Sequence, residues 1–155
     1  MMNVGHQYRV LLIDDDEATA DVFARFGEAH GVHVHHESDL RGARALLGRF
    51  VSPYFDLAIL DVSLVGEFST EIERELDGQK VKTMYWTNSP ELLKTRQVMV
   101  VAKADFDAVD LMKKIIADAE EAHRKELLES STIILRRMTQ SVDTAIESKG
   151  IKQYG

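Results

Sequence analysis

Residues 10–17 read VLLIDDDE, four apolar side chains set directly against four acids. With Tyr8 and Arg9 in front of it, the run YRVLLI (8–13) has the apolar, β-branched composition of a strand buried on both faces. Strands of that kind belong to parallel sheets covered by helices on either side. The acids that end the run repel one another, and carboxylates crowded together do not all stay ionised without a counter-charge. The strand therefore predicts both a fold and a cation.

Working outward from this stretch, Ala20, Val22, Phe23, Phe26 and Ala29 recur at spacings of three and four, an amphipathic helix that Asp16 caps and Gly31 stops. VHVHHE (32–37) alternates like a strand, and DLRGARALLGRF (39–50) reads as a helix opened by Asp39. YFDLAILDV (54–62) is a second apolar strand, ending in aspartate. STEIERELDG (69–78) is a short helix with a glycine stop. KVKTMYWTNS (80–89) is a strand ending in hydroxyl residues, PELLKTR (90–96) makes two helical turns with Pro90 first, and QVMVVAK (97–103) is a strand ending in lysine. From Phe106 to about Lys149 the pattern is helical throughout.

Strands alternating with helices predict an α/β fold, a doubly wound five-stranded parallel sheet. Ligands of such sheets sit beyond the carboxyl ends of the strands. Those ends here carry Asp14 and Asp15, then Asp61, Thr87 and Lys103.

The bulk composition narrows the function classes. The chain has 155 residues, 45% of them apolar and 29% charged, and its 19 basic against 26 acidic residues give a net charge of −7. That balance argues against a nucleic-acid binder, which carries a basic face. With no cysteine, thiol catalysis, disulfides and cysteine-ligated zinc are excluded. The N-terminus MMNVGHQYR has no signal-peptide pattern and no window is long and apolar enough to span a membrane, so a soluble, cytoplasmic protein is expected.

The strand-end residues form a coherent chemical set. Magnesium prefers oxygen ligands and takes one or two carboxylates together with a phosphate oxygen. Asp15 and Asp61 suit direct ligation, Asp14 ligates directly or through water, and the backbone carbonyl of Ser63 offers a further oxygen. A strand-end carboxylate can also attack phosphorus to give an acyl phosphate. Lys103 then supplies a point charge for the phosphoryl oxygens and Thr87 a hydroxyl donor. Ser63 and Ser89, each two residues past Asp61 and Thr87, flank the path of an attacking water and are expected to tune the acyl phosphate's lifetime. A phosphatase built on the same acids needs a second acid two residues after the nucleophile; Ser63 stands there.

Over residues 8–119 these motifs, Asp14–Asp15 in LLIDDDE, Asp61 in DLAILDVSLVG, Thr87 in TMYWTN and Lys103 in VVAKADFD, resemble the receiver domain of two-component response regulators. The resemblance implies the flavodoxin-like receiver fold for residues 1–119 and a phosphoacceptor role for Asp61. It further implies Asp14 and Asp15 as magnesium acids, Thr87 and Lys103 as phosphoryl binders, and a histidine kinase or phosphotransfer protein as donor. Such a protein is not a metabolic enzyme; it carries only slow self-phosphorylation and self-dephosphorylation, and its output is contact with an effector protein.

The chain also departs from the family pattern. Val65 stands where a proline usually follows the phosphoacceptor, Ala104 replaces the proline after the lysine, and Val100 occupies the position of the switch aromatic. The stretch from Thr87 to Lys103 is short, so the fourth helix is expected to be shortened or missing. These departures keep a second reading open, a receiver-like binding module that works without phosphorylation.

His33 and His35 read as a surface strand edge, His123 as a solvated helix position, and Trp86 as core. Residues 120–155 form a helical extension in which Leu128, Ser131, Leu135, Met138, Val142 and Ala145 are spaced like a heptad seam. Ser130-Ser131-Thr132 is a candidate break. Unbroken, a helix from 106 to 149 runs on the order of 65 Å. A homodimer through this helix is expected, as a coiled coil or as paired hairpins.

Overall fold

Along each central strand the side chains alternate between two apolar layers, and this alternation organises the fold. The computed structural model describes residues 7–50, 54–62, 69–93 and 98–148. Its elements run β1 (Tyr8–Ile13), α1 (Glu17–Ala29), β2 (Val32–Glu37), α2 (Leu40–Leu47), β3 (Leu57–Leu60), α3 (Ser69–Gly78), β4 (Lys82–Thr87), a 3-10 turn (Pro90–Leu93), β5 (Met99–Ala102) and α4 (Ala108–Ser148). All strand pairs are parallel, in the order β2-β1-β3-β4-β5. This is the doubly wound order, whose direction of winding reverses between β1 and β3.

Leu11, Ile13, Ala58, Leu60 and Tyr85 face one layer with Leu47 of α2 and Ile72 and Leu76 of α3. Val10, Leu12, Leu57, Ile59, Met84 and Trp86 face the other with Phe23 of α1 and Leu111, Met112 and Ile115 of α4. A slip of one residue in any central strand would exchange its two sets of side chains, so the register is firmly set. The pairing of Ile13 with Leu60 then brings Asp14 and Asp61 side by side at the winding switch.

The local signals act as the sequence predicts. Asp16 accepts the Thr19 N–H at 3.1 Å and starts α1, Asp39 accepts the Gly42 N–H at 2.7 Å and starts α2, and Gly31 ends α1 with φ at 80°. Other boundaries shift. Strand β3 is shorter than 54–62, because Tyr54 stacks on Phe50 at 4.2 Å between ring centroids and Asp56 accepts the Arg9 N–H at 2.9 Å. Strand β5 is a partly exposed edge. Over Pro90–Leu93 the chain makes a 3-10 turn rather than the expected α-helical turn, and residues 94–97, at the end of that expected helix and just past it, lie outside the described residues. α4 opens at Ala108, after Asp107 accepts the Asp110 N–H at 2.8 Å.

The chain divides into two compact units, 1–117 and 118–155. In the second, the candidate break does not occur: α4 is continuous through Ser130–Thr132. The Thr132 hydroxyl donates to the Leu128 carbonyl at 2.9 Å, and Thr139 does the same to Leu135 at 3.0 Å, so these hydroxyls are satisfied inside the helix. Leu127, Leu128, Ile134, Leu135, Met138 and Val142 are all exposed. Among the described residues no helix is long and apolar enough to cross a membrane.

Gly31 sits where a Cβ is strained. Gly31→Ala is expected to lower the unfolding free energy by about 1–2 kcal/mol in urea titration, with an unchanged m-value.

Candidate functional site

The residues that follow β1, β3 and β5 meet at one rim of the sheet. Asp14 follows β1; its N–H donates to the Glu37 carbonyl at 3.1 Å, which fixes the turn out of the strand. One carboxylate oxygen accepts the Asp16 N–H at 2.9 Å, and the other accepts from Lys103 Nζ at 2.8 Å. His36 Nε2 lies 2.6 Å from the Asp14 carbonyl oxygen. Asp61 follows β3, with its N–H on the Ile13 carbonyl at 3.1 Å and its Oδ2 accepting from Lys103 Nζ at 2.9 Å. Lys103 follows β5, and its N–H donates to the Thr87 carbonyl at 2.8 Å.

Asp14, Asp61 and Thr87 are buried, whereas Asp15 is exposed. Asp14, Asp15 and Asp61 each place a carboxylate oxygen within 4.8 Å of the others. Among the described residues, the Lys103 ammonium bonds two of these three carboxylates. An all-oxygen donor set of three carboxylates, part buried and part open to solvent, fits a hard divalent cation.

Burial alone would depress the Lys103 amine, but hydrogen bonds to Asp14 and Asp61, and the charges of both, outweigh it and raise its pKa above the ordinary 10.5. The Asp16 carboxylate caps α1, and the hydrogen bonds from Thr19 hold it below the usual carboxylate value of 3.8. The Thr87 hydroxyl accepts the Ser89 N–H at 3.0 Å.

Of the residues the sequence singled out, Asp14, Asp15, Asp61 and Lys103 come together, and Thr87 adjoins Lys103 through the backbone. Ser63, with its carbonyl, lies outside the described residues, as does Val65. A groove of about 460 Å³ opens beside Lys103, lined also by Asp16, Thr19, Val22, Trp86 and Asn88. A groove of about 520 Å³ by Val81, Lys82, Val98 and Met99 lies at the other end of β4 and β5, away from the carboxylates. From its sequence context Trp86 is expected in the core alone. It is buried, but Lys103 Nζ also lies 4.8 Å from its ring centroid. No motif signals that contact, because it needs β4 and β5 paired in register.

No protein-family model matches the chain, and no curated protein matches it. Solved structures do. A response regulator receiver protein from Burkholderia phymatum is 22% identical with a TM-score of 0.58, over 71% of this chain and 93% of that one. A CheY-like response regulator receiver domain from Methanospirillum hungatei is 23% identical with a TM-score of 0.58, over 77% and 99%. The chain has the receiver fold of response regulators. A third structure, a fusion carrying a trimeric coiled coil from yeast, is 16% identical with a TM-score of 0.61, over 91% of this chain and 94% of its own. Against the receiver pattern, β5 carries Val100 rather than an aromatic, paired with Tyr85 and partly buried.

Folding favours the protonated Lys103 amine, so its contribution is whole below the unfolded value near 10.5 and is lost as pH rises through the higher folded value. Lys103→Met strands two buried carboxylates and is expected to lower stability by about 3 kcal/mol at neutral pH. The difference between wild type and variant, measured by urea unfolding, should hold from about pH 7 to 10 and shrink above that range.

Proposed function

We propose that this receiver is a phosphoacceptor signalling protein that takes a phosphoryl group on Asp61. The observation that carries the reading is the Lys103 ammonium, held 2.9 Å from Asp61 and 2.8 Å from Asp14 inside an acidic cluster. A carboxylate oxygen of Asp61 attacks phosphorus, the bond from phosphorus to the donor breaks, and its electron pair leaves with the donor. Lys103, already beside Asp61, pairs with the phosphoryl oxygens as the acyl phosphate forms. The Thr87 hydroxyl, which accepts from Ser89 in this state, is the group that turns to donate to a phosphoryl oxygen. Hydrolysis reverses the state: water attacks phosphorus, the bond to Asp61 breaks, and the carboxylate returns with inorganic phosphate.

Asp14, Asp15 and Asp61 would hold magnesium, which when bound offsets charge on the transferring phosphoryl group. The groove beside Lys103 opens next to the ammonium that bonds Asp61. A histidine kinase or phosphotransfer protein would be the physiological donor, in the cytoplasm, and the output is protein contact rather than nucleic-acid binding, in keeping with the net charge of −7. The protein is a switch with slow self-chemistry, not a metabolic enzyme. In the second unit, the exposed seam of Leu128, Leu135, Met138 and Val142 supports a homodimer through the helix.

A second reading, a binding module that works without phosphorylation, is favoured by Val100 and by the 3-10 turn, since the usual aromatic readout has no counterpart there. One experiment separates the two. With magnesium and acetyl phosphate, intact mass should rise by one phosphoryl group, and Asp61→Asn should abolish the gain; a wild type that never gains mass leaves the binding module. For the helix, Leu135→Glu with Met138→Glu is expected to convert a dimer to a monomer in sedimentation velocity, and an unchanged mass would count against the seam.

A further inference from the structure

Trp86 has a place in the core, but its ring serves two polar groups as well. One face carries Lys103 Nζ at 4.8 Å from the centroid. Its Nε1 donates to the Phe106 carbonyl at 2.9 Å, in the loop that leads from β5 to α4. Phe23 packs against it at 5.9 Å between centroids, tilted by 31°. The indole is therefore fixed by its N–H at one edge and by apolar packing around it, with only 2% of its surface exposed. A lysine ammonium over an indole face is attracted by the ring's quadrupole, most strongly where water is excluded.

We infer that Trp86 is a positioning residue for Lys103, holding the ammonium beside Asp61 independently of the carboxylate charge. The carboxylates alone make a poor guide for this lysine. They attract it only while their charge is uncompensated, and a divalent cation on the same oxygens would weaken that attraction. The flexible stem of lysine has several other rotamers to adopt. The ring face keeps its attraction whatever the carboxylates bind, so the ammonium stays where phosphoryl oxygens arrive. The Trp86–Phe106 hydrogen bond also ties this arrangement to the loop preceding α4. A tryptophan at this position serving only as filler would need its N–H satisfied, but would not need a cation over its face.

The inference rests on the phosphoacceptor reading for its effect on rate, but the contact itself can be tested without any phosphoryl donor. Trp86 is the only tryptophan in the chain, so its fluorescence reports on this site alone. Lys103→Met should change the intensity of Trp86 emission in the resting protein; an identical spectrum overturns the contact. For the rate, Trp86→Leu should slow acyl-phosphate formation from acetyl phosphate by about tenfold, with magnesium affinity unchanged. Trp86→Phe keeps an aromatic face without the N–H and guards against loss of folding; it should fall between wild type and Trp86→Leu. Trp86→Leu added to Lys103→Met should slow the reaction no further than Lys103→Met alone. Additive losses, or a Trp86→Leu rate equal to wild type, overturn the positioning role. If wild type gains no phosphoryl group, the phosphoacceptor reading fails, and the fluorescence comparison still decides the contact.

Discussion

The Lys103 ammonium bridging Asp14 and Asp61 is the interaction on which the rest of the molecule depends. It joins the ends of β1, β3 and β5 across the rim of the sheet, with both carboxylates buried. Such a pair is an uncertain source of net stability, because desolvation offsets most of the attraction. Its consequence is constraint. An unpaired buried carboxylate is costly, so the three strand ends are held in one arrangement that an ion and an anion can use.

That arrangement requires a parallel sheet wound in two directions. In β1, β3 and β4 the buried apolar side chains are divided between two layers, and that division fixes the register. The register in turn sets where the first polar residue past each strand emerges. Ile13 opposite Leu60 puts Asp14 next to Asp61, and Ala102 opposite Thr87 puts Lys103 just beyond. The site is thus a product of the core, since its residues are scattered from position 14 to position 103 and meet only because the strands pair as they do.

Much of this was legible in the sequence because strand ends and helix caps are local signals. The runs YRVLLI and DLAIL stop at aspartate, Asp16 and Asp39 precede helical periodicity, and Gly31 follows it. The stretch 90–96 was harder, since Pro90 suits the first turn of an α-helix and of a 3-10 turn alike. The serines and threonine at 130–132 prefer caps and so suggest a break, but Thr132 satisfies its hydroxyl inside the helix by bonding back to the Leu128 carbonyl. The second role of Trp86 was invisible for a different reason: it depends on a neighbour across a strand pair, and no spacing along the chain encodes it.

The departures from the receiver pattern concentrate on readout. Val100 on the edge strand and the 3-10 turn alter the surface beside β5, while the acids and the lysine stay together. These departures therefore lie outside the carboxylate–lysine cluster, and the helix of the second unit exposes an apolar surface of its own. The central claim, that the carboxylates clustered beside Lys103 form a divalent-cation site, is tested most directly by calorimetric titration with magnesium. One saturable site is predicted, with its affinity markedly weakened in Asp15→Asn, where the exposed acid is lost and the fold is left intact. Absence of any saturable binding, or identical binding in the variant, would contradict the account.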